Sequence, residues 1–146
     1  MTEMLPHVEL IKRLLLAATI GGLLGAEREV RRKPAGFRTN ILIGLGCAVF
    51  AILSITISPA NPDRIAANIV TGVGFLGAGA IMREQSGGVH GITTAATAWV
   101  NAALGTAAGA GQYTLAMIGG LITLGVLAIL GPLEVAIERK TGGKKE

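Results

Sequence analysis

From Ile65 to Tyr113 the chain passes through GVGFLGAGAIMREQSGG and VHGITTAATAWVNAALGTAAGAGQY, and only Arg83 and Glu84 in this stretch are formally charged. Gly72, Gly74, Gly77 and Gly79 crowd the first half, and Thr93, Thr94, Thr97 and Asn101 mark the second. Each glycine inside a helix costs roughly 1 kcal/mol against alanine, so a water-soluble core gains little from four of them. In a bilayer, small residues let helix backbones approach closely. The stretch therefore reads as two tightly packed membrane helices joined by a charged turn, with Gly72, Gly74, Gly77, Gly79 and Gly105 as helix-packing positions.

The rest of the chain fits that class. Its 146 residues are 51% hydrophobic and 15% charged, which leaves room for about five spans of roughly 20 residues and little else. An all-α, polytopic bundle follows, with spans expected near residues 8–28, 41–57, 65–82, 92–108 and 113–133. The first is the least clean, because Lys12, Arg13 and the Glu27–Arg28 pair must lie at its interfaces; Glu9 and Arg13, four apart, are placed to pair. Gly21 and Gly25 form a GxxxG step within it. Pro34 and Gly36 break the chain before the second span, Pro59 and Pro62 before the third, and GAGQ before the fifth. Pro132 is expected to bend the exit, and residues 139–146 form a polar tail. The N-terminus has no basic leader, so no cleavable signal is expected.

Lysine and arginine set the orientation. With five spans, ten of them fall on the side of the first loop, the third loop and the C-terminus, against three on the other. The positive-inside rule then places the N-terminus outside and the C-terminus in the cytoplasm. The net charge of +4 reads as topology, and no nucleic-acid partner is expected.

Helical spacing organises the polar residues. Thr94, Thr97 and Asn101 step by three and four along the fourth span, and Thr93 joins them through Thr97. Arg64, Asn68 and Gly72 step by four along the third. Buried amides need partners where water is absent. Asn68, Thr93, Thr94, Thr97 and Asn101 are thus either glue between helices or the lining of a hydrated site. Glu27, Glu29, Asp63 and Glu84 all fall at span edges, so no carboxylate stands at a membrane centre to bind a hard cation. Glu27 reads first as a salt-bridged neighbour of Arg28, and Asp63 as a helix cap. Trp99 sits mid-span, where packing explains it. His90 has no second ligand nearby, and Cys47 has no partner cysteine. With no phosphate loop, HExxH or CxxC pattern, neither an enzyme nor a cofactor or metal site is expected.

The chain resembles the MgtC/SapB family of bacterial inner-membrane proteins. The resemblance rests on GAERE at 25–29, GFRT at 36–39, DRIAANIVTGVGFLGAGAIM at 63–82, VHGITTAATAW at 89–99, AALG at 102–105 and GAGQY at 109–113. It makes Glu27, Arg28, Arg38, Thr39 and Asp63 motif residues at or near the edges of spans, and Trp99 a motif residue within the fourth. It implies a virulence-related family linked to magnesium homeostasis, some of whose members regulate other membrane proteins such as the F-type ATP synthase or a P-type pump. Longer members carry a soluble C-terminal domain, which this shorter form is expected to lack. Two readings follow: a non-enzymatic regulator working through membrane-protein contacts, and a transporter or channel for magnesium or another small ion. The lipid bilayer is the expected surrounding, and the small-residue faces lead to the expectation of a homo-oligomer.

Overall fold

The computed structural model describes residues 5–57, 59–61, 63–83, 88–133 and 137. They form a helical bundle of α1 (His7–Val30), α2 (Phe37–Ile57), α3 (Asp63–Ala80), α4 (Ile92–Gly109) and α5, which starts at Tyr113 and continues through a π turn at Val126–Leu130. The polar tail expected at 139–146 lies outside the described residues.

Local chemistry sets the helix ends. Pro6 precedes α1, and its carbonyl accepts from the Glu9 and Leu10 amides. Glu9 in the first turn and Arg28 in the last complement the helix dipole. Past Val30, Lys33 N–H returns to the Arg28 carbonyl and Arg32 N–H to Glu29, a Schellman closure with Arg32 in the left-handed region at φ 53°. The same closure ends α4, where Gln112 N–H meets Ala107 and Gly111 N–H meets Ala108. Here the left-handed position is glycine, at φ 80°.

One detail departs from the sequence expectation. The stretch between the third and fourth helices, expected as a charged turn, carries a short antiparallel ribbon pairing Met82 with His90 and Arg83 with Val89. The helix runs on through Pro132 to Leu133, with a π turn at Val126–Leu130 just before the proline. Proline has no N–H for the carbonyl four residues back, which is that of Ala128; Arg31 Nη2 donates to that oxygen at 2.9 Å.

α1, α2 and α4 are held at backbone contact by glycine. A Cβ on Gly21 would lie 2.5 Å from the Asn40 carbonyl oxygen, and one on Gly25 would lie 2.7 Å from Phe37 Cα. Across the α2–α4 seam, a Cβ on Gly105 would come within 2.9 Å of Gly44 Cα, and one on Gly109 within 2.7 Å of Ala48 Cα. Ala17, Ile20, Leu24, Ala48, Leu104, Ala108, Ala116 and Leu127 fill the main core. α3 stands at the margin, packed chiefly on α4 and more sparsely on α2. The outer faces are apolar, with Leu42, Phe75, Leu121 and Ile129 among many exposed side chains, the pattern of a surface facing something other than water. α2 and the helix Tyr113–Leu133 are each long and apolar enough to cross a membrane, and Arg64–Ala80 is a shorter apolar helix.

Candidate functional site

The sparse α2–α3 contact opens a groove of about 1000 Å³. Its walls are apolar faces of α2 and α3, with Thr94 and Ala98 of α4 behind them. Glycine creates the room: Gly46, Gly72 and Gly79 line the groove, and a Cβ on any of them would meet nothing within 4 Å. At depth the walls close, because Cys47 of α2 clusters with Ile69 and Val73 of α3 and Ala102 of α4. The polar lining is Thr39, Asn68 and Thr94. Among the described residues, no carboxylate or histidine lines it, so those residues offer dispersion contacts and a few neutral hydrogen-bonding groups. Among the described residues, no three His, Cys, Asp or Glu side chains gather to hold a metal ion.

The polar residues anticipated as one stripe fall into separate environments. Asn101 is fully buried, and its Nδ2 donates to the Asn40 carbonyl at 2.7 Å and lies 3.2 Å from Asn40 Oδ1. Its own Oδ1 lies buried without a hydrogen-bond partner, with Gly44 alongside. Thr97 is buried and donates to the Thr93 carbonyl at 2.7 Å. Thr94 is buried at the back of the groove, while Asn68 and Thr93 are exposed. The groove thus brings Asn68 and Thr94 together, and Asn101 belongs to the α2–α4 seam.

The glycine positions divide in the same way. Gly105 sits in the seam and Gly77 touches Ala95, whereas Gly72, Gly74 and Gly79 face open space. Trp99 is half exposed and lines a second, smaller pocket of about 250 Å³ between α3 and α4.

The motif residues at the helix edges form a charged clasp. Arg28, 4% exposed, donates from Nε to Glu27 Oε2 at 2.8 Å, and Arg31 pairs with the other Glu27 oxygen. Glu29 Oε2 accepts from the Phe37 amide at 3.2 Å, placing a carboxylate at the N-terminus of α2, where the dipole favours it. Arg38 and Thr39 are exposed in the first turn of α2. Asp63 is the first residue of α3; its side chain lies outside the described residues.

Sequence reasoning missed two groups. Asn40, buried beneath the first loop, donates from Nδ2 to the Ala35 and Gly36 carbonyls while accepting from Asn101. At the far end of α1, Arg13 was anticipated to pair with Glu9, as it does at 3.0 Å. Its Nη1 also donates to the Gly109 carbonyl at 2.8 Å, and Tyr113 Oη donates to Glu9. The available signal for Asn40 was an amide at the boundary between a basic loop and a charge-free apolar run.

A family model described as the MgtC family matches residues 14–136. "Protein MgtC" of Salmonella typhimurium is 51% identical over 114 residues, covering 78% of this chain and 49% of that protein. "Putative magnesium transporter YhiD" of Escherichia coli K12 is 45% identical over 142 residues, covering 90% and 65%. "Protein MgtC" of Brucella abortus is 44% identical over 123 residues, covering 84% and 51%. The chain thus spans about half to two thirds of the length of these relatives. No solved structure matches it.

Proposed function

Since the chain belongs to the MgtC family, we propose that it is a multi-pass protein of the bacterial inner membrane that serves magnesium homeostasis through contacts with other membrane proteins. In this reading it is neither an enzyme nor a carrier of the ion. All five helices cross the bilayer, the N-terminus lies outside, and the basic loop 31–38 and the C-terminus are cytoplasmic. The charge asymmetry supports that orientation, and the apolar exterior supports the membrane setting.

The observation that carries the regulatory reading is the uneven use of glycine. Gly21, Gly25, Gly44, Gly105 and Gly109 bring α1, α2 and α4 to backbone contact, and Asn101 is engaged by Asn40 inside that seam. Gly74, open and outside the groove lining, with exposed Ala78 one turn on, leaves on α3 a separate face fit for another helix, from a second copy or a foreign partner such as an ATP synthase or P-type pump.

The second reading, a transporter or channel, draws on the printed name of the Escherichia coli relative and on the Asn68–Thr94 lining of the groove. Sealed-vesicle flux distinguishes the two. The purified protein is expected to leave magnesium uptake at the rate of empty vesicles, while cysteine crosslinking from position 74 or 78, outside the groove, captures a neighbour in native membranes. Robust uptake abolished by Asn68→Leu would overturn the regulatory reading in favour of transport.

A further inference from the structure

We infer that the α2–α3 groove is a binding site for an anionic diacyl phospholipid of the cytoplasmic leaflet, with an acyl chain between the two helices and the phosphate at the basic first loop. The inference rests on the membrane reading above and adds a specific ligand to it.

The first argument is shape. The groove has an apolar lining and a volume at the upper end of the roughly 300–1,000 Å³ usual for small-molecule sites. A helix with its side chains is about 10–12 Å across. Contact of Cys47 with Ile69 and Val73 closes the floor of this groove, leaving a tapering crevice suited to a flexible chain. Gly46 and Gly72 set its width, since neither position has a neighbour within 4 Å of where a Cβ would stand.

The second argument is charge at the mouth. Ala35 and Thr39 line the end of the groove where α2 begins. Arg38 lies one turn before Leu42, another lining residue, and so flanks the same face. Among the described residues, the acidic side chains of this region are already engaged: Glu27 by Arg28 and Arg31, and Glu29 by the Phe37 amide. Among the described residues, Arg32, Lys33 and Arg38 enter no ion pair. Arg38 therefore stands unpaired beside an apolar slot, with Arg32 and Lys33 unpaired in the loop that leads into Ala35, a lining residue. That combination of charge and slot matches a phospholipid with a negative headgroup.

The test is native mass spectrometry of the detergent-purified chain with added phosphatidylglycerol or phosphatidylcholine of equal chain length. The expected result is preferential retention of phosphatidylglycerol. It should fall about fivefold for each cation removed in Lys33→Gln and Arg38→Gln, and retention of either lipid should fall in Gly72→Leu, which fills the slot. Circular dichroism of each variant verifies that the helices persist; if Gly72→Leu unfolds, Gly46→Leu replaces it. Equal retention of both lipids overturns the inference. So does a preference lost with the cations but untouched by the glycine substitutions, which would mean surface adhesion alone. Quantitative disulfide dimers of Gly72→Cys in native membranes would also overturn it, by assigning the groove to a second copy. Failure of the chain to enter membranes at all would instead sink the membrane reading.

Discussion

Asn101 donates through Nδ2 to the backbone carbonyl of Asn40 at 2.7 Å, joining the middle of α4 to the first turn of α2 across 61 residues of chain. Asn40 in turn holds the loop carbonyls of Ala35 and Gly36. One buried amide pair therefore connects the bundle centre to the basic loop. Replacing Asn101 by alanine removes the donor and leaves Asn40 oxygens buried, so a loss of about 1–3 kcal/mol is expected. Reversible unfolding in mixed micelles measures it. Asn40→Ala should show the additional signature of a loosened loop, namely faster proteolysis between residues 31 and 36.

Glycines that look alike in the sequence should respond oppositely to alanine. Gly105→Ala drives a methyl into Gly44 backbone, and overpacking of this kind costs typically about 1–3 kcal/mol. Gly72→Ala meets open space and should be neutral or stabilising by up to about 1 kcal/mol, the helix-propensity difference. Thermal denaturation of the two variants in one detergent makes the comparison; equal losses would refute the assignment of seam and open face.

Arg13 is expected to matter more than its ion pair with Glu9. It is 9% exposed and reaches the Gly109 carbonyl, so Arg13→Ala leaves that oxygen without its charged donor, at a cost of about 1.5–3 kcal/mol. Tyr113→Phe removes only the hydroxyl held by Glu9 and should cost about 1 kcal/mol. A double-mutant cycle between Glu9→Gln and Tyr113→Phe should show coupling, since the two side chains share one bond.

Orientation is open to direct measurement. With native Cys47 buried, single cysteines introduced at Lys33 and Asn61 can be labelled selectively. In intact cells an impermeant maleimide should reach position 61 and leave position 33 unlabelled until the membrane is breached. The reverse pattern would invert the proposed topology.

The helices were legible in the sequence because charge-free runs bounded by glycine and proline leave few alternatives in a chain this apolar. The Glu9–Arg13 and Glu27–Arg28 pairs were legible because their partners lie close in sequence. What was hidden is long-range. Spacing placed Asn101 on a polar face, but nothing along the chain pointed to Asn40 as its partner. Asn68 satisfied the same helical periodicity and yet belongs to the groove. The glycine-rich third helix looked like the tightest packing surface, although its glycines mostly lack neighbours within this chain. Whether a glycine meets a backbone depends on where a second helix is docked, and composition carries no record of that.

The π turn at Val126–Leu130 changes the phase of α5. Successive helical residues advance by about 100°, and each extra residue in a widened turn rotates everything after it by that amount. The two ends of α5 therefore do not share one heptad clock. A rigid helical fusion built onto the end of this helix must be phased from Leu130, because phasing from Tyr113 would swing the appended domain about a quarter turn around the bundle. Deleting one residue within the turn would restore the phase but move the Ala128 carbonyl away from Arg31.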